Sequence, residues 1–334
     1  MKLLFAKEDA RSLSAHDGAG VYLTSIIFIL LLQVLGSIVI SFIPTLDSES
    51  EMTVNLLLMC VFQMANLGAV LIAVNKKKLA LPYAIRPIKW YGYILSALLA
   101  IVCVVCFVLL GNWFVIFLEN IGYNFLAPLE FTTPLHIVLG VIATGILAPV
   151  CEEMVYRGAL LGGLTKKMGA LPALIISSLC FALMHMNPEQ TVYQFFLGFT
   201  AGYLAICTRS ILPSILLHSA NNLIAIATSF IPVAEGGESA PFDPVATLIA
   251  TVVLFVLGVA VIFFVGKIVA KKHDRMRLFE EKKLEIEEEK EVEEGVRPSA
   301  VMGKNTYIIL IAIGLGLCIF TWALVFLVNM LPLA

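Results

Sequence analysis

The chain has 334 residues, 60% of them hydrophobic and 14% charged, with a formal net charge of −2 and a mean hydropathy of +0.96. A soluble domain is about half apolar and about a quarter charged, so the composition excludes paired soluble domains, a secreted disulfide scaffold, a disordered chain and a nucleic-acid binder. What remains is an all-α, polytopic membrane bundle.

Stretches near the length needed to cross a bilayer, about 20 mainly apolar residues, run over 21–43, 53–74, 90–118, 135–165, 169–187, 191–208, 210–232, 245–270 and 305–333. These predict about nine transmembrane helices. The fifth and sixth are short and are separated by Asn187-Pro188-Glu189-Gln190. The first is too long for a signal peptide and lacks a small-residue cleavage site after it, so it reads as a retained span.

Basic residues mark cytoplasmic loops. With the N-terminus inside, all 22 Lys and Arg lie in inside segments or, for Arg157, in the inner half of the fourth span. The opposite loops carry only acids, among them Asp47, Glu49, Glu51, Glu130, Glu189 and Asp243. This partition predicts an integral, multi-pass protein of a bacterial cell membrane, N-terminus cytoplasmic and C-terminus outside. Residues 271–298 are dense in Glu and Lys and read as a solvated helical linker. The seven cysteines all lie in apolar runs with no CxxC pair and read as small buried residues rather than a disulfide framework.

Ionisable residues inside a membrane are costly and mark function by default. The fourth span holds Glu152, Glu153 and Arg157, the fifth His185, and the seventh His218 with Asn221 and Asn222. Glu153 and Arg157 are four apart and can pair on one face. Glu152 points about 100° away. Pro149 has no N–H and clashes with the carbonyl of Gly145, so it should bend the helix just before the carboxylates. Phe181 and His185 share a face, as do His218 and Asn222, while Asn221 points elsewhere. Neither histidine has an acidic neighbour in sequence, so any partner must come from another helix. His136, at the outer edge of the fourth span, reads as interfacial. Helical rise puts Glu152, His185 and His218 about 21, about 27 and about 14 Å from the inner basic residues. That spread is wide for one site, and tilt or a bent start at Pro213 would have to close it.

A buried carboxylate beside a histidine can deprotonate water once its pKa rises towards neutral, and a second imidazole with an amide can bind a developing oxyanion. This set fits peptide hydrolysis in a wet membrane cavity. Cys151 and Ser219 adjoin Glu152 and His218, but adjacent helix positions do not face one another, which favours direct attack by water. Two His and a Glu can also hold zinc, yet HExxH is absent, so neither a metal nor another cofactor is expected. Rival readings of the same residues are an ion- or proton-coupled transporter, a cytochrome with His185 and His218 as haem ligands, and an inactive scaffold. No convincing internal repeat supports the first.

Three motifs occur in order: EExxxR (Glu152, Glu153, Arg157), FxxxH (Phe181, His185) and HxxxN (His218, Asn222). With the Tyr156-Arg157-Gly158 continuation, they resemble the CAAX-protease and bacteriocin-processing (CPBP, Abi-type) intramembrane endopeptidases. The resemblance implies an all-helical membrane protease with a conical cavity. By it, Glu152 activates water, His185 helps position that water, and His218 and Asn222 form the oxyanion site. Glu153 and Arg157 hold the architecture or assist substrate binding, and Phe181 supports by packing. The partners implied are a membrane-embedded, hydrophobic or prenylated peptide substrate and the lipid bilayer. The chain then divides into transmembrane helices one to three (1–129), a CPBP-like core of helices four to seven (130–232), helix eight (233–270), a charged cytoplasmic linker (271–304) and helix nine (305–334). A ninth span behind a long charged loop departs from the family pattern.

Overall fold

A computed structural model describes residues 11–42, 47–76, 79–83, 85–125, 131–230, 243–270 and 306–331. The expected linker helix at 271–298 lies outside the described residues. Nine helical passes occur among those described. They are α1 (Ala15–Ser41), α2 (Ser48–Leu71, continued by a π-wound turn Ile72–Lys76), α3 (Trp90–Asn120) and α4 (Pro134–Met168). Then come α5 (Ala170–Met184), α6 (Thr191–Thr208), α7 (Leu212–Thr228), α8 (Pro244–Ala270) and α9 (Thr306–Asn329). The protein is an all-α polytopic membrane protein.

Seven of these helices are long and apolar enough to cross a membrane. The expected spans at 169–187 and 210–232 shorten to α5 and α7, with 15 and 17 residues. Their ends are set by backbone, not hydropathy. Gly169 has φ +84° and breaks the chain before α5, and Met186, at φ +52°, turns it left-handed just after His185. A non-glycine residue in that region is uncommon and ends a helix sharply. Pro213 lies in the first turn of α7, where its missing N–H is not needed.

Local chemistry sets the other helix starts. Ser14 and Asp17 form a reciprocal capping box at α1. Asp47 caps α2 through the Ser50 N–H, and its bonds to Ser50 hold the exposed carboxyl below the usual carboxylate range. Thr133 caps α4 ahead of Pro134. A two-residue parallel pairing of Arg11–Ser12 with Leu79–Ala80, too short for sequence periodicity to reveal, ties the start of α1 to the end of α2.

The apolar distribution is that of a lipid-solvated bundle. Side chains such as Leu31, Val105, Phe264 and Phe320 are more than half exposed, where a water-soluble protein would bury them in bulk. Two buried clusters lie within. One gathers α1, α2, α4, α5 and α9 with Ala205 of α6 and Ile215 of α7, and the other α3, α6, α7 and α8. Small residues allow close helix approach: an added Cβ at Gly314 would lie 2.5 Å from the Tyr22 ring, which is how α9 sits on α1. α4 packs against α1, α2, α5 and α7. Its Met154–Leu161 stretch is buried on every side, so whatever it carries faces protein.

Candidate active site

α4 is not uniformly wound. Val141–Leu147 and Met154–Leu161 are π-helical, flanking the α-wound Ala148–Glu153. Pro149 lies in the α-wound segment between them, and its consequence can be traced bond by bond. The Ala148 N–H reaches back to the Ala143 carbonyl, so it does not serve Thr144. The next possible donor to Thr144, residue 149, is a proline without an N–H. The stranded Thr144 carbonyl instead accepts Asn222 Nδ2 at 2.7 Å. A proline on α4 thus creates the acceptor that holds an amide of α7.

The two carboxylates diverge as their spacing requires. Glu153 is fully buried, and its Oε1 accepts from Arg157 Nη1 at 2.9 Å. The same oxygen lies 3.0 Å from His218 Nδ1. Arg157, 1% exposed, also donates from Nη2 to the Gly198 carbonyl at 3.0 Å. Its guanidinium carbon lies 4.2 Å from the centroid of Phe181, a cation–π arrangement. Gly198 is needed there, since a Cβ would come within 2.9 Å of the Phe181 ring and 3.2 Å of Arg157 Nη2. A buried charge must be paired and hydrogen-bonded, and Arg157 meets both conditions.

Glu152 turns towards α2, where its Oε1 accepts from Gln63 Nε2 at 2.8 Å. Its Oε2 is buried and has no hydrogen-bond partner among the described residues, as is also true of Glu153 Oε2. An unpartnered buried carboxylate oxygen calls for an explanation, and an ordered water is the chemically simplest occupant.

His185 follows the last turn of α5 and is half-buried. Its Nδ1 lies 2.9 Å from the Phe181 carbonyl. A carbonyl only accepts, so Nδ1 carries the proton, and Nε2 is an acceptor whenever the ring is neutral. The Phe181 ring packs edge-on against both imidazoles, with centroids 5.0 Å from His185 and 5.5 Å from His218. One aromatic ring thus brings His185 and His218 together despite the spread expected from helical rise. No direct hydrogen bond joins Glu152 to either imidazole among the described residues.

Asn222 lies one turn beyond His218 on α7, held on Thr144 rather than bonded to the histidine. Asn221 supports Asn222 from the next position on α7. Its Oδ1 accepts from Tyr193, and its Nδ2 donates to Asn222 Oδ1 at 3.3 Å. His136 lies in the first turn of α4, at the edge of its span. It is fully buried, its Nε2 3.0 Å from Thr53 Oγ1 and 3.1 Å from the Glu49 carbonyl, and its Nδ1 3.2 Å from Thr132 Oγ1. Polar groups from the start of α2 satisfy it, a tertiary fact invisible along the chain. Gln63, Tyr193 and Gly198 were missed by a reading that scored ionisable side chains. An amide inside an apolar span was the available signal for Gln63.

Among the described residues no three His, Cys, Asp or Glu side chains are grouped to ligate a metal. His218 Nδ1 and Glu153 Oε1 are already committed to each other.

Residues 134–224 match the family model described as "Type II CAAX prenyl endopeptidase Rce1-like". The provisionally named membrane peptidase YdiL of Bacillus subtilis (strain 168) is 28% identical over 95 residues, 28% of this chain and 39% of that protein. An uncharacterized protein of Mycoplasma capricolum subsp. capricolum is 31% identical over 106 residues, 28% of this chain and 29% of that protein. The chain thus spans well under half the length of these relatives. No solved structure matches it. The matched segment contains all three motifs, and the resemblance to the CPBP family holds over it.

Proposed function

Taking residues 134–224 as an Rce1-like segment, we propose that the chain is an intramembrane endopeptidase that hydrolyses peptide bonds by a glutamate-activated water. The observation that carries this is Glu152: a carboxylate inside a membrane helix, 4% exposed, with one oxygen bonded to the Gln63 amide and the other, among the described residues, buried without a partner. Glu153 also has an unpartnered oxygen, but its other oxygen is held by Arg157 and His218, whereas Glu152 is bonded to a neutral amide and is the carboxylate left to take up a proton.

Water held at Glu152 Oε2 gives a proton to that oxygen as its own oxygen attacks the scissile carbonyl carbon. With its ring neutral, His185 can accept the water's second hydrogen bond at Nε2 and fix its direction. The carbonyl electrons move onto oxygen, and His218 and Asn222 stabilise the oxyanion. His218, with Nδ1 on Glu153, turns Nε2 to the reacting group and donates from it when charged. The second N–H of Asn222 Nδ2, beyond the one on Thr144, is the other donor. The proton on Glu152 then passes to the leaving amine as the C–N bond breaks. Substrates are hydrophobic or prenylated peptides reached from within the bilayer of a bacterial cell, the protein's N-terminus lying on the cytoplasmic side as its basic loops require.

The test is cleavage of a fluorogenic prenylated peptide, and of unprenylated membrane peptides, by detergent-purified wild type and Glu152→Ala, each with and without chelator. Expected are cleavage by wild type, loss in Glu152→Ala by at least about 100-fold, and no effect of chelator. Equal cleavage by both proteins would remove Glu152 as the base. Chelator-sensitive activity restored by zinc would replace the glutamate mechanism.

A further inference from the structure

Behind Glu152 runs a directed line of hydrogen bonds from α1 through α2 to α4. The Ser25 hydroxyl donates to Asn66 Oδ1. Asn66 Nδ2 donates to Gln63 Oε1 at 3.0 Å, and Gln63 Nε2 donates to Glu152 Oε1 at 2.8 Å. Ser25 and Asn66 are buried, at 0% and 1% exposure. The order of donors follows from chemistry. The carboxylate can only accept, so Gln63 must present its NH₂ to it and its carbonyl to Asn66. That turns the Asn66 carbonyl to Ser25. Each link leaves the next amide one orientation.

We propose that Gln63 is a positioning residue for Glu152, and that Asn66 and Ser25 lock Gln63 in the orientation it needs. By occupying Oε1, Gln63 fixes the carboxylate plane and leaves Oε2 as the oxygen that meets water. An amide pair serving only to hold helices together needs no carboxylate at its end, and Ser25 with Asn66 already joins α1 to α2. The arrangement parallels the partners that orient metal ligands, whose loss costs activity without loss of fold.

This inference rests on the reading of Glu152 as the base. The same peptide assay is run on Gln63→Met, which keeps side-chain volume but has no donor, on Gln63→His, which keeps an N–H at a comparable reach, and on Ser25→Ala. Gln63→Met should lower kcat about 10–100-fold with KM within about twofold of wild type and an unchanged thermal midpoint in detergent. Gln63→His should recover part of that loss, and Ser25→Ala should lower kcat less than Gln63→Met. Wild-type kcat in Gln63→Met, or a fall in kcat that only tracks a lower thermal midpoint, overturns the positioning role. If Gln63→Met does not fold, Ser25→Ala decides by the same criteria. Full activity in Glu152→Ala would instead defeat the base assignment itself. An inactive Glu152→Ala beside a fully active Gln63→Met defeats the positioning role alone.

Discussion

Glu153 and His218 stand 65 positions apart in the chain and meet at 3.0 Å, Oε1 to Nδ1, on the oxygen that also receives Arg157. The contact joins α4 to α7 and gives His218 the acidic partner that its own helix lacks. Removing Glu153 leaves Arg157 as an uncompensated charge in a fully buried place. Glu153→Ala should therefore destabilise the protein by about 3–5 kcal/mol, read as a lower thermal midpoint in detergent. Glu153→Gln, which keeps an acceptor towards Arg157, should lose less stability yet still lower kcat by depriving His218 of its anion.

Gly198→Ala tests the layer beneath the imidazoles. The new methyl would press on the Phe181 ring at 2.9 Å. That ring is fully buried and has no room to retreat from His185 and His218. Overpacking of this kind costs about 1–3 kcal/mol. Activity measured below the melting transition should fall more than stability does, because the displaced ring carries both histidines with it.

Tyr193→Phe should separate the amide network from the carboxylates. The hydroxyl that donates to Asn221 is lost, at a net cost of about 1 kcal/mol, and Asn221 no longer fixes Asn222. The expected outcome is a moderate drop in kcat with KM held. Asn222→Ala, which removes the amide and also strands the Thr144 carbonyl, should be the more damaging change in both activity and thermal midpoint.

Much of this site was legible along the chain because helical geometry is local. The i, i+4 spacing of Glu153 and Arg157 led to their ion pair, and the 100° step sent Glu152 to another helix. The share of the fold that depends on polar termini was less legible. Gly169 and Met186 bound α5 and Pro213 lies in the first turn of α7, so each helix is a few residues shorter than the apolar run that contains it. That His136, at the end of its span, is buried by Thr53 and the Glu49 carbonyl of α2 was likewise not readable along the chain.

Composition and periodicity alone determined that the chain is a membrane bundle, where its helices run, and which few polar side chains lie at membrane depth, because desolvation makes each such residue stand out. Only the tertiary structure decided which oxygen of Glu152 is occupied, that Gln63 occupies it, and that His218 takes Glu153 rather than Asn222 as its partner. Those choices depend on hydrogen-bond directions within about 3 Å between separate helices. Spacing along one helix carries no record of such distances.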